Sequence, residues 1–370
     1  MEGPTRPIGR RRFLQGAGAL GAALVAAPLL QACSDTALEH SNVLAFLNWQ
    51  DYIDPGVLTQ FESQQHMSVT YQTYSSNDEL AKLLTLANAA RRRGRMEHTY
   101  DLIVPSDNFV RQFRSQNLLA PLDRSKLTNL NNLEPAYRAE AFDAGNRYTV
   151  PWATGTTGIG YDTSVFPEPP DWSVFGDAAH KGKMTVLDEE RDAFLAALLA
   201  LGEDPNTTDS ATIDAAADRL IEWKRVISGF DSKTYLDDLA AGKLVAAEAY
   251  SSDLVEAKAR NAKLGFVIPS QGGGRWVDSL ATPVHAPHEG NAEIFINYYL
   301  RPEVSARVAN FVKVDTGNAK ATPLLDPAVR NDPIVFPPAD VLARTTFTAD
   351  LGDANALYDA AWKRVQSASV

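Results

Sequence analysis

The stretch Asn42-Val-Leu-Ala-Phe-Leu-Asn-Trp-Gln-Asp-Tyr-Ile-Asp-Pro-Gly-Val-Leu-Thr-Gln-Phe61 decides the fold class. Its first part, Val43 to Trp49, is a short apolar run that reads as a buried strand. The period then changes. Asp54-Pro55 opens a helix, Asp54 as N-cap and Pro55 at the first helical position, and Val57, Leu58 and Phe61 recur on one face. Ser68 to Tyr74 alternates as a second strand, and Asn77 caps a helix with Leu80, Leu83, Leu84 and Ala87 at helical spacing. Asp101-Leu-Ile-Val-Pro105 is a third strand, ended by a turn. Strands alternating with amphipathic helices predict an α/β sheet covered by helices.

Further along, Tyr148 to Tyr161 holds Thr154-Gly155-Thr156-Thr157-Gly158 between two apolar runs and reads as a hinge passing between lobes. A second set follows: strand 183–187, helix 191–201, helix 211–226, strand 244–250, helix 254–261 and strand 265–268. Residues 275–282 form another strand, and 291–300 and 303–314 read as helices that cross back. A chain of 370 residues can bury two cores. One lobe is expected over 41–150 plus about 279–314, the other over about 151–278 plus 315–370. The run Arg91-Arg92-Arg93-Gly94-Arg95 is most simply a solvated loop.

The first 32 residues read as a processing segment, with a basic start, an apolar stretch from Gly16 to Leu30 too short to span a bilayer, and a small-residue cleavage region. Arg10 and Arg11, followed by Phe13-Leu14, resemble the twin-arginine export signal, with Gln15 in place of the usual lysine. Leu30-Gln31-Ala32-Cys33 resembles a bacterial lipobox, which implies acylation of Cys33, the single cysteine of the chain. The expected location is the outer face of the cytoplasmic membrane, held by an N-terminal lipid. Removal of four arginines and one glutamate from 35 basic and 46 acidic residues takes the net charge from −11 to −14. That sign argues against nucleic acid as a partner and suits a cationic ligand.

The mature chain resembles the spermidine/putrescine-binding proteins of bacterial ABC transporters over nearly all of residues 41–370. The motifs that carry the likeness run in the family's order: Asn48-Trp49-Gln50-Asp51-Tyr52, Tyr74 to Glu79, Asp101 to Ser106, Leu127-Thr-Asn-Leu130, Asp188 to Phe194, and Trp276-Val277-Asp278-Ser279. The resemblance implies a type II periplasmic-binding fold, two α/β lobes around a cleft. It also implies a ligand whose methylenes lie between aromatic rings and whose ammonium groups meet carboxylates.

Trp276 and Asp278 suit that chemistry, because residues i and i+2 of a strand share a face and set a ring beside an acid. Taken alone they could be a core ring and a solvated strand end. Trp49 and Tyr52 follow the first strand, where ligand crevices of α/β sheets form, and resemble cleft aromatics of the family; Gln50 between them corresponds to a polar contact. In Asp188-Glu189-Glu190-Arg191-Asp192, Glu189 and Asp192 take the family's two carboxylate positions with side-chain lengths exchanged, and the acids equally suit a helix start. Ser106 offers a hydroxyl and Tyr250 a ring, whereas Asn108 and Phe347-Thr348 replace family contacts; Asp253 is an extra acid without a family role.

No phosphate loop, nucleophile motif or metal spacing stands out: Gly272-Gly273-Gly274 precedes a strand as a turn, and His285 and His288 lack helical metal spacing. The expectation is therefore a monomeric binding protein, not an enzyme, without metal or cofactor, that captures a polyamine for an ABC permease. A lipid-anchored polyamine sensor, or a binder of another cationic metabolite, is the alternative.

Overall fold

The computed structural model describes residues 42–95, 99–138, 140 and 142–369, so the expectations for residues 1–32, for Arg10 and Arg11 and for Cys33 lie outside the described residues. Residues Ser41–Val370 form one compact unit. In chain order its elements are β1 (Val43–Trp49), α1 (Pro55–Gln65), β2 (Ser68–Tyr74), α2 (Asn77–Arg91), β3 (Leu102–Ile103), α3 (Asp107–Ser115) and the long β4 (Thr149–Asp162). Next come β5 (Met184–Val186), α4 (Glu190–Leu201), α5 (Ser210–Lys224), β6 (Gly229–Phe230), α6 (Tyr235–Ala240), β7 (Ala246–Tyr250), α7 (Ser251–Arg260), β8 (Leu264–Val267) and β9 (Gly273–Ala281). Helices α8 (Glu289–Tyr299), α9 (Pro302–Val312), α10 (Pro327–Arg330) and α11 (Ala339–Leu342) precede β10 (Thr345–Phe347) and α12 (Asn355–Ser367). None of the helices among the described residues is long and apolar enough to cross a membrane.

Local chemistry fixes the first unit. Asp54 accepts the Gly56 N–H at 2.8 Å with Pro55 at the start of α1, and His66 ends that helix in the left-handed region. Strands β1 and β2 pair in parallel from Val43↔Ser68 to Trp49↔Tyr74, and β1 pairs in parallel with β3.

The main sheet path runs β2-β1-β3-β9-β4-β7-β5-β6, with β10 on β9 and β8 on β4. Two parallel sets, β2-β1-β3 and β7-β5-β6, are joined through the antiparallel ladder of β4 and β9, which extends from Thr149↔Ala281 to Thr157↔Gly274. The 148–161 segment is thus mostly strand, one of two strands that traverse both halves. Gly272 adopts φ +112, as a turn requires, but Gly273 and Gly274 belong to β9, where an added Cβ would meet Thr157 within 3 Å. The glycine triplet is a close strand crossing as well as a turn.

Each half has its own core. In the first, Phe46, Phe61, Phe295 and Tyr298 interlock at ring separations of 4.9–5.2 Å, beside Trp152. In the second, Trp172, Phe175, Phe194 and Trp223 pack with Tyr358 and Trp362 of α12. Each such fully buried side chain contributes about 1.5–3 kcal/mol relative to exposure. The segment after Asp315 divides between the two, whereas the sequence reading gave it all to the second lobe. Ala321 and Leu325 pack on Ala306 and Ala309 of α9, whose small residues leave room for them, whereas Leu351 and the last helix join the second core.

Candidate functional site

The carboxyl ends of β1 and β3, the middle of β9, and the start of α4 with the end of β7 bring the expected residues together. Asp278 lies at the centre of β9 and is 7% exposed. The Tyr52 hydroxyl donates to its Oδ2 at 2.7 Å and the Ser106 hydroxyl to its Oδ1 at 2.6 Å. Ser106 is placed by Asn77, whose Nδ2 donates to Ser106 Oγ at 3.0 Å while its Oδ1 accepts the Ser106 N–H, and by an antiparallel bridge to Asp278 itself. Burial pushes the Asp278 carboxyl up to about 6, against the lowering effect of the two hydroxyls. The same burial, with the Asp278 charge beside it, raises Tyr52 well above the ordinary tyrosine value.

A second carboxylate is built the same way in the other half. The Tyr250 hydroxyl donates to Asp192 Oδ2 at 2.9 Å and the Thr157 hydroxyl lies 3.5 Å from Oδ1. Burial pushes Asp192 up to about 6, opposed by Tyr250, Thr157 and Arg191. Arg191 itself is turned away, donating to the carbonyls of Ala349 and Pro205 and lying 4.3 Å over the Tyr358 ring.

Aromatic rings link the two acids. Trp276 stands edge-on to Tyr250 with centroids 6.3 Å apart. Its ring occupies the space beside Gly155 of β4, where an added Cβ would come within 2.3 Å of Cζ2, so the absence of a side chain at 155 sets the ring's position. Among the described residues the Trp276 indole N–H has no partner. Trp49 is half-buried, donating its indole N–H to the Val104 carbonyl at 2.9 Å and packing tilted against Tyr74 with ring centroids 4.6 Å apart; Tyr74 also donates to the Val104 carbonyl.

Of the expected site residues, Tyr52, Ser106, Trp276 and Asp278 form one cluster and Asp192 with Tyr250 another, while Trp49 lines the first cluster's wall. Glu189 is half-buried at the N-cap of α4, and its charge helps to raise Tyr250. Gln50 is not brought in: it is exposed, with its amide 3.3 Å from Asp51. Asn108 turns onto the Phe109 N–H, and Phe347 carries Arg275 4.9 Å over its ring.

Asp253, the acid without an assigned role, belongs with the site. It accepts the hydroxyls of Tyr235 and Ser252, burial raises its carboxyl, and its charge acts on Tyr52 from the opposite half. Two further acids escaped the sequence reading. Asp107 is 4% exposed behind Asp278, and Glu248 is fully buried behind Asp192. Neither stood out, because one looks like an acid at a helix start and the other is a single charge inside an apolar strand.

Two α/β halves sharing a pair of crossing strands, with rings and acids gathered where those strands pass, define a solute-binding protein with an interlobe cleft. The comparisons agree. The model of the bacterial extracellular solute-binding protein family matches residues 56–337. The spermidine/putrescine-binding periplasmic protein of Salmonella typhimurium is 33% identical over 96% of this chain and 98% of its own length. Among solved structures, a protein from Listeria monocytogenes titled as a spermidine/putrescine ABC transporter superposes with a TM-score of 0.81 at 31% identity, covering 88% of this chain and 99% of that one. The Tp0655 (TpPotD) lipoprotein of Treponema pallidum gives 0.77 at 28% identity, covering 87% and 99%. The chain belongs to the bacterial extracellular solute-binding protein family, and within it to the spermidine/putrescine-binding periplasmic proteins. That family consists of exported proteins that bind solutes for transport.

Proposed function

We propose that this protein captures a polyamine, spermidine or putrescine, in its interlobe cleft and delivers it to the permease of an ABC importer. The carrying observation is the pair of tyrosine-bonded carboxylates, Asp278 and Asp192, bridged by Trp276 and Tyr250. An ammonium takes a carboxylate as partner, a methylene chain gains from ring faces, and a spaced pair of acids with rings between them matches a diamine or triamine end to end. Trp49 and Ser106 line the first end; Glu189 and Gln50 are rim contacts, reached when the lobes close. Asp253 supplies a further carboxylate for an additional or shifted ammonium.

In this reading the first lobe comprises 41–150 with about 279–337, and the second about 151–278 with about 338–370. Ligand bridging Asp278 and Asp192 favours closure, because only the closed form makes both contacts. Binding occurs without catalysis. Cys33 carries the lipid that holds the protein at the outer face of the membrane, Arg10 and Arg11 direct export, and the protein acts as a monomer.

Calorimetric titration of protein stripped of bound ligand with spermidine, putrescine and spermine tests the proposal. Heat with saturation is expected from at least one. Silence from all three removes the polyamine reading.

A further inference from the structure

Both ligand-facing carboxylates have a second, inner acid behind them, and the two arrangements are alike. Asp107 begins α3 directly after Ser106. Its Oδ1 faces the N–H of Val277, the residue before Asp278, at 3.5 Å, and its Oδ2 has no partner among the described residues. Glu248 sits two residues before Tyr250 on β7, hence on the same strand face. Its Oε2 accepts the Leu187 N–H at 3.1 Å, and its Oε1 has no partner among the described residues. Each inner acid therefore has one backbone donor and one orphaned oxygen.

An ionised carboxylate so placed would bear most of its desolvation cost uncompensated, with a like charge in front of it. A protonated one would not. The charged and titratable groups that act on Asp107 are Asp278, which opposes its ionisation, and Arg111, one turn along α3, which favours it. On Glu248 the Asp192 charge acts in the same opposing sense, and the other titratable neighbour is the Tyr235 hydroxyl, itself raised. Burial first, then the Asp278 charge, pushes Asp107 up to about 8 against the lowering effect of the Val277 N–H and Arg111, and burial, then the Asp192 charge, raises Glu248 well above the carboxylate range against the Leu187 N–H.

We propose that Asp107 and Glu248 hold protons while the cleft is empty and release them when a cation is captured at Asp278 and Asp192, so that ligand binding is linked to proton release. The inference rests on the cation-binding reading. A captured ammonium neutralises the outer carboxylate that had opposed ionisation and adds positive potential. The inner O–H bond then breaks, its electron pair stays on the carboxylate, and the proton passes to solvent buffer. The empty cleft thereby avoids four neighbouring negative charges, and the occupied cleft regains their attraction. Asp107 and Glu248 act through Asp278 and Asp192 and are positioning residues.

The test is titration of spermidine into the stripped protein in phosphate and in Tris, buffers of unlike ionisation enthalpy, near the Asp107 midpoint of about 8. The apparent enthalpy is expected to differ between buffers by an amount equivalent to about one proton released. Asp107→Asn or Glu248→Gln should reduce that difference, and the double variant should abolish it. Equal buffer dependence in wild type and double variant, or none in wild type, overturns the proposal.

A ligand-free readout separates this from the choice of polyamine. Carboxyls with raised folded values bind more protons in the native state than in the unfolded chain, so their contribution to stability falls as pH rises from about 4 through their folded values. Melting temperatures of Asp107→Asn and Glu248→Gln should therefore gain on wild type as pH increases over that span. If spermidine gives no heat, the polyamine reading fails while this gap still decides the protonation of the inner acids, and a gap independent of pH overturns the proposal by itself.

Discussion

Tyr52 and Asp278 stand 226 residues apart in the chain, yet the tyrosine hydroxyl donates to the carboxylate at 2.7 Å. The bond ties the loop after β1 to the strand that crosses both halves. It also supplies one of two donors that hold Asp278 near 6 despite its burial. Removing the hydroxyl leaves Ser106 alone to do so.

Tyr52→Phe should therefore raise the Asp278 carboxyl further and weaken polyamine binding by about 1 kcal/mol, the net worth of a typical hydrogen bond. The loss should grow as pH falls, because a larger fraction of Asp278 is then protonated. Calorimetry at one pH above and one below the Asp278 midpoint checks this, and a loss of equal size at both would mean that Tyr52 acts only as an apolar wall.

Asp278→Asn keeps the shape of the side chain and both hydroxyl neighbours but removes the charge. Leaving a buried ammonium without its carboxylate costs at least about 2 kcal/mol, or about thirtyfold in Kd. Melting temperature should stay within a few degrees of wild type or rise at neutral pH, since an uncompensated buried charge has been deleted. Unchanged affinity would move the ammonium site away from β9.

Affinity should depend on pH with a definite sign. Asp278 and Asp192, each near 6, must be ionised to hold an ammonium. Binding should be steepest in pH around that value and lost as pH falls through it, approaching about tenfold per unit for each carboxylate that must deprotonate. Stability of the empty protein runs the other way, since both groups are raised above their unfolded values and favour the native state at lower pH. The protection that ligand gives against melting should thus widen from pH about 5 to about 8. A constant protection would contradict the assignment of these two carboxylates as the ligand's partners.

Signals in this chain are stored partly in local pattern and partly in strand order. Asp54-Pro55, the alternation from Ser68 to Tyr74 and the i, i+2 pair Trp276 and Asp278 are local, so their elements and shared face were legible. The pairing of Tyr52 with Asp278 and of Tyr250 with Asp192 depends on strand order, which no local pattern encodes. Asp107 and Glu248 were illegible for a different reason: an acid at a helix start and an acid in a strand look solvated until the fold buries them. Helix α12 does carry a local signal, Tyr358, Ala361, Trp362 and Val365 at i, i+3, i+4 and i+7, but that this face packs on α4 and α5 is not encoded locally.

Gly155 gives the most local test of how the cleft is shaped. A methyl group there would sit 2.3 Å from Trp276 Cζ2 and 2.7 Å from Ser251 Oγ, inside contact distance of both. Ser251 cannot yield freely, because its Oγ accepts the Thr156 N–H at 3.2 Å. The indole must move instead, out of its edge-on contact with Tyr250. Gly155→Ala should therefore weaken polyamine binding by about 1–3 kcal/mol, the usual cost of overpacking, here taken mainly from the bound state. In a Trp276→Ala background the methyl has no ring to displace and meets only Ser251 Oγ, so the same substitution should cost clearly less than in the wild-type background. The double-mutant cycle should then show a coupling energy of at least about 1 kcal/mol. Additive losses would mean that Gly155 matters for the crossing of β4 and β9 and not for the seat of the ring.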